Sequence, residues 1–191
     1  MLLLDIDEVL MGWKHHKLYK PGVCGWEEWR YIPNRIYFNV VADDMLGYLK
    51  EHFEDRIVWL TTWLTRGMCN TDFAPETNFG PFPTVTSMFD LVDGTDELDP
   101  NSLHPDVKYY ADKWWKLNYV CHLIQNNKIP DKVIWIDDDI AGMIHYVNMC
   151  LMHYGVRDRF YLISPIDALT RNEIEAAREW YYAEATQETV E

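Results

Sequence analysis

Four short runs, Leu2-Leu3-Leu4, Ile57-Val58-Trp59-Leu60, Val133-Ile134-Trp135-Ile136 and Phe160-Tyr161-Leu162-Ile163, are apolar without alternation. A strand of this kind is apolar on both faces, which suits the interior of a parallel sheet covered on both sides. Helical patterns lie between the runs. Met45, Leu46, Leu49 and Phe53 share one face of a helix predicted over about 43–54, with Asp43 as its N-cap. Trp114, Leu117, Cys121 and Ile124 line another over about 111–127, and a third is predicted near 141–153. Thr170 and Glu173 have capping-box spacing and open the last helix. Strands alternating with helices predict an α/β fold with a central parallel sheet, in a single domain over 1–191. Two stretches break the pattern. Residues 11–40 are rich in Trp, Tyr, Pro and Gly and read as an extended loop or hairpin excursion. Residues 64–108, with Pro75, Pro81, Pro83, Pro100 and Pro105, read as an irregular insertion with one possible strand at 84–89.

Three of the runs end in chemically useful side chains: Asp5 and Asp7, then Thr61 and Thr62, then Asp137, Asp138 and Asp139. Ligands of open α/β sheets bind beyond the carboxyl ends of the strands, and parallel strands would bring these endings to one edge. Carboxylates gathered there repel one another unless a cation lies among them. An all-oxygen set favours Mg²⁺ over zinc or copper, and magnesium in turn favours a phosphate substrate. The hydroxyls of Thr61 and Thr62 can donate to phosphate oxygens, and a lysine can neutralise the remaining charge. Lys113 and Lys116, three apart on the predicted helix, are the candidates. Asp139 is read as a helix N-cap rather than a ligand.

Asp5-Ile6-Asp7-Glu8-Val9-Leu10 resembles the DxDxV first motif of the haloacid dehalogenase (HAD) superfamily. Leu60-Thr61 resembles the second motif, Lys116 the third and Ile136-Asp137-Asp138 the fourth, in the family's order. Trp59-Leu60-Thr61-Thr62-Trp63, Trp115-Lys116-Leu117, Trp135-Ile136-Asp137-Asp138 and the ending from Ser164-Pro165 to Trp180 are similar to a subgroup of small HAD-like hydrolases common in actinobacteria. The resemblance implies a Rossmann-like three-layer fold with 11–40 as a small flap or cap after the first strand. It implies a phosphatase in which Asp5 attacks phosphorus to form an aspartyl-phosphate, and Asp7 is general acid and then base. Mg²⁺ would be held by Asp5, the backbone carbonyl of Asp7, Asp137 and Asp138, with Thr61, Thr62 and Lys116 on the phosphoryl oxygens. One position departs from the family pattern: Glu8 stands where glycine is usual. Glycine there permits unusual backbone angles, and a phosphate- or nucleotide-binding protein without turnover is the alternative that Glu8 motivates. A phospho-receiver domain fits less well, since its lysine follows the last acid whereas Lys116 precedes Asp137.

The formal net charge of −14 argues against a protein that coats nucleic acid with its whole surface. Residues 11–40 nevertheless carry Lys14, Lys17, Lys20, Arg30 and Arg35 against Glu27 and Glu28, a net of +3 that leaves −17 for the rest. With Trp13, Tyr19, Trp26, Trp29, Tyr31 and Tyr37, this stretch suits a stacked base and its phosphates. The expected substrate is therefore a phosphorylated small molecule, with a nucleotide or a nucleic-acid phosphate end as the finer possibility. No apolar stretch has the length of a membrane span, and a cytoplasmic setting is expected. Cys24, Cys69, Cys121 and Cys150 form no CxxC pair and read as reduced structural thiols. Cys150 and His153 resemble half a zinc site without a second half, so zinc is not expected.

Overall fold

The computed structural model describes residues 1–13, 21, 22, 24–32, 38–91, 98–166 and 168–183. Its strands are β1 (Leu2–Leu4), β2 (Met11–Trp13), β3 (Trp29–Tyr31), β4 (Phe38–Ala42), β5 (Ile57–Trp59), β6 (Val133–Ile136) and β7 (Phe160–Ile163). Its α-helices are α1 (Asp43–Phe53), α2 (Ala74–Thr77), α3 (Pro105–Ala111), α4 (Trp115–Gln125), α5 (Ile140–His153) and α6 (Arg171–Tyr182). The four apolar runs form one parallel sheet of order β5-β1-β6-β7, flanked by helices, an α/β arrangement compatible with a Rossmann-like fold.

β1 is interior: Leu2 pairs with Ile57 on one side and Ile134 on the other. Leu2, Leu3 and Leu4 are wholly buried, as are Val133 to Ile136, so neither face of these strands meets water. Full burial of such a side chain contributes about 1.5–3 kcal/mol, and that is why the runs lack polar alternation. Trp135 also stacks on Trp114, with ring centroids 5.1 Å apart.

The helices differ in detail from their sequence signals. The helix predicted over 111–127 is shorter: α4 covers Trp115–Gln125, and a turn at residues 112–114 separates it from α3, which ends at Ala111. Lys113 therefore lies in that turn and not on a helix with Lys116. Asp43 does not cap α1; it is the first helical residue, and its carboxylate holds Arg30 at 2.6 Å. Asp139 occupies the N-cap position of α5 but makes no side-chain cap bond. The Thr170–Glu173 capping box is present in full.

Within 64–108 the structure has a π-helical turn at Cys69–Phe73, the short α2, and α3. The strand expected at 84–89 reduces to one bridge between Thr84 and Trp59. Thr84, Thr86 and Ser87 bond to one another and to local backbone, so the chain turns there instead of pairing.

The excursion after β1 contains a three-stranded antiparallel sheet of order β2-β4-β3. Part of it is bound to the body. Trp26 is fully buried and its indole donates to the Leu169 carbonyl at 2.8 Å, while Arg171 N–H bonds to the Cys24 carbonyl at 2.9 Å. Trp26 is thus a packing residue and not a platform for a base. Arg30 is paired with Asp43. Lys14, Lys17, Tyr19, Lys20, Arg35 and Tyr37 lie outside the described residues. Among the described residues no helix is long and apolar enough to cross a membrane.

Candidate active site

The strand pairing extends one residue past each strand and so fixes the acids by their backbones. Asp5 N–H bonds to the Ile136 carbonyl at 3.1 Å, Asp137 N–H to the Ile163 carbonyl at 3.1 Å, and Leu60 N–H to the Leu4 carbonyl at 3.0 Å. Asp5, Thr61 and Asp137 consequently stand side by side at the carboxyl edge of the sheet. All three are buried, with Asp5 only 4% exposed and Asp137 fully enclosed.

Lys116, in the first turn of α4, is itself 1% exposed and ends between the two acids. Its ammonium lies 2.7 Å from Asp5 Oδ2 and 2.7 Å from Asp137 Oδ2. Burial disfavours the Lys116 charge, but the carboxylates of Asp5 and Asp137 outweigh it and drive its pKa above the ordinary lysine value. Lys113 points elsewhere, its ammonium 4.4 Å from the centroid of the exposed Tyr109 ring.

One ammonium is too little charge for the acids around it. Asp5, Asp137 and Asp138 each offer an oxygen within 4.8 Å of the others. Burial first, then the neighbouring Asp5 carboxylate, pushes Asp137 well above the usual carboxylate range. The same two causes, helped by Asp139, push Asp138 up to about 7. Acids gathered and buried in this way could hold a cation among them.

Asp7 stands apart from that carboxylate group. The Trp63 indole Nε1 lies 2.9 Å from each of its carboxylate oxygens, and Thr62 Oγ1 donates to Oδ2 at a long 3.5 Å. Burial raises Asp7 to about 6, against the opposing pull of the Trp63 bond. Thr61 Oγ1 accepts from Trp63 N–H at 3.3 Å, which leaves the hydroxyl proton available as a donor. In the sequence Trp63 stands out only as the end of the Trp59-Leu60-Thr61-Thr62-Trp63 stretch, with no role assigned to it.

No family model matches the chain, nor does any curated protein or solved structure. What the arrangement can do chemically therefore rests on its own charges and donors: a buried acid held by an ammonium, a second acid that titrates near neutrality, and hydroxyls beside both.

Glu8 follows Asp7 in a tight turn with φ at +55°, in the left-handed region. Its N–H bonds to the Met11 carbonyl at 2.7 Å, and Leu10 N–H returns to the Ile6 carbonyl. A non-glycine residue there costs about 1–2 kcal/mol, partly offset by the smaller entropy it loses on folding. Glu8→Gly is expected to stabilise the protein by about 1 kcal/mol, a rise in Tm of about 2–4 °C. Glu8→Gln removes the charge and keeps the strain, so melting the two variants together separates backbone from electrostatics. Equal Tm values for both would show that the turn carries no strain.

Proposed function

We propose that the protein is a magnesium-dependent phosphatase of the HAD type, acting on phosphomonoesters through an aspartyl-phosphate on Asp5. The observation that carries the reading is the Lys116 ammonium held 2.7 Å from both Asp5 and Asp137 at the tips of adjacent parallel strands. Residues of the first, third and fourth motifs are thereby in direct contact, and Thr61 of the second stands at the same sheet edge.

The donor set fits the metal. Three carboxylates with oxygens within 4.8 Å of one another, two of them pushed upward by burial and mutual repulsion, are suited to a hard divalent cation. Asp5, Asp137 and Asp138 would hold Mg²⁺, with the Asp7 backbone carbonyl as a further oxygen. The ion would neutralise the carboxylates and draw charge from the transferring phosphoryl group.

In the first step an Asp5 oxygen forms a bond to phosphorus and the bond to the leaving oxygen breaks. Asp7, raised to about 6, gives its proton to that oxygen. In the second step Asp7 takes a proton from water, which attacks phosphorus and releases Asp5. Lys116, Thr61 and Thr62 supply donors for the equatorial oxygens. A nucleotide or a nucleic-acid end is the proposed substrate class. Its support is the basic composition of 11–40, reduced by the internal engagement of Arg30 and Trp26. The four buried thiols support a cytoplasmic setting. The test is phosphate release from an aryl phosphate and a panel of nucleotides and 3′- or 5′-phosphorylated oligonucleotides, with Mg²⁺ and with EDTA. If nothing in the panel is hydrolysed while Mg²⁺-dependent binding persists, the protein is a ligand-binding relative and not an enzyme.

A pH effect follows from the same acids. Asp7 and Asp138 titrate near 6 and 7 in the folded state and Asp137 is also raised, against about 3.9 unfolded. The folded state holds protons that the unfolded state releases, so this stability is present below about pH 4 and lost as the pH climbs through 6 and 7. In EDTA, Tm is expected to fall from pH 5 to pH 8. Mg²⁺ prefers the ionised acids, so its stabilising effect should be larger at pH 8 than at pH 5. Thermal melts in both buffers check this, and a magnesium effect independent of pH would exclude these acids as its site.

A further inference from the structure

A second group of ligand-type side chains converges far from the sheet edge in chemistry and in exposure. His104, Asp106 and His153 each offer an atom within 4.8 Å of the others, and all three are exposed. His104 stands at the N-cap of α3, Asp106 in its first turn, and His153 is the last residue of α5. The two imidazole rings lie 4.9 Å apart between centroids, and His104 Nδ1 is 3.7 Å from Asp106 Oδ2.

The two segments that carry these residues are pinned to one side chain. Gln125, at the end of α4, accepts from His104 N–H at 3.1 Å and donates to the Ser102 carbonyl at 2.8 Å. The Tyr154 hydroxyl, next to His153, donates to the same Gln125 oxygen at 3.3 Å. Both histidine segments are thus tied to Gln125 before any ligand arrives, one through the His104 backbone N–H and the other through the Tyr154 hydroxyl, which is what a preorganised metal site needs.

We propose that His104, Asp106 and His153 form a binding site for a borderline divalent transition metal, of which Zn²⁺ is the type. Two imidazoles and one carboxylate form a ligand set for zinc, cobalt or nickel, and a poor one for magnesium. Tetrahedral zinc with bonds of about 2.0–2.1 Å wants donors about 3.3 Å apart. The exposed Asp106 and His153 side chains can turn to close the present spacing, while His104 Nδ1 accepts from Asp106 N–H at 3.3 Å. The carboxyl end of α5 and the chain's net charge of −14 favour a cation there. The amino end of the short α3 opposes it weakly. Three protein ligands leave a position for water, and the ion would tie the start of α3 to the end of α5. Cys150, which with His153 resembles half a zinc site in a sequence that otherwise gives no expectation of zinc, is fully buried and takes no part.

The experiment is a Zn²⁺ titration of EDTA-stripped protein by calorimetry, in millimolar Mg²⁺ to occupy the oxygen-rich site. Wild type is expected to bind one equivalent that His153→Ala and His104→Asn each lose or weaken at least about 100-fold. Asparagine keeps a cap for Asp106 N–H, so loss of zinc there is not loss of the helix. His145→Ala, an exposed histidine on the same α5, should bind as wild type does. Zinc at a hundredfold excess over Kd should raise Tm by about 5–10 °C in wild type and not in His153→Ala. Unchanged stoichiometry and affinity in both histidine variants would overturn the site, as would the absence of zinc binding in wild type.

Discussion

Asp5→Asn is expected to abolish magnesium-dependent phosphate release, with a fall in kcat of at least about 10⁴-fold. Asparagine preserves the shape of the side chain and the backbone bond to Ile136, so the sheet edge should stay intact. What is lost is the nucleophile, and with it any route to a covalent intermediate, together with one carboxylate of the metal set and one partner of Lys116. The variant should show no burst of phenolate in rapid mixing. Residual turnover within tenfold of wild type would mean that another group attacks phosphorus, and the proposed role of Asp5 would be gone. Asp7→Asn is the useful companion: with an aryl phosphate, whose leaving group needs little protonation, the first step should survive better than the second.

Lys116→Met carries the second large effect, this one on the fold. Asp5 and Asp137 would be left facing each other with no common counter-charge, in a place where neither reaches water. Breaking a buried pair in this way costs about 3–5 kcal/mol, or about 6–20 °C in Tm for a chain of this size. The deficit should grow from pH 5 to pH 8, because the orphaned acids are then forced to ionise. Adding Asp137→Asn to the variant should recover part of the loss by removing one of the two like charges. Lys113→Met, whose ammonium rests on an exposed ring, should cost no more than about 1 kcal/mol. Denaturant melts of the four proteins decide the matter. Equal losses for Lys116→Met and Lys113→Met would mean that the central ion pair contributes nothing net.

The parallel sheet was legible in the sequence because burial on both faces leaves a plain mark: Leu2 to Leu4 and Val133 to Ile136 have no polar neighbour to alternate with. The convergence of Asp5, Thr61 and Asp137 followed from strand direction alone. Spacing alone puts Lys113 and Lys116 on one predicted helix, since the apolar stripe from Trp114 to Ile124 does not mark where α4 begins. The break at residues 112–114 leaves no periodic signal. The Thr84–Ser87 turn was hidden for a different reason. Its β-branched residues favour a strand, and hydroxyls bonding to nearby backbone override that preference. Trp63 on Asp7, and His104 beside His153, are contacts between distant segments, and neither spacing nor composition encodes them.

The position of β1 has a consequence for synthesis. It pairs with β5 on one edge and with β6 on the other, and its second partner is made about 130 residues later. At about 5–20 residues per second the ribosome needs on the order of ten seconds to supply that strand. Until then the leucine run keeps an open edge, and Asp5 lacks Asp137. An unfinished nascent chain therefore carries an incomplete site, and its first strand is an apolar segment with one unpaired edge.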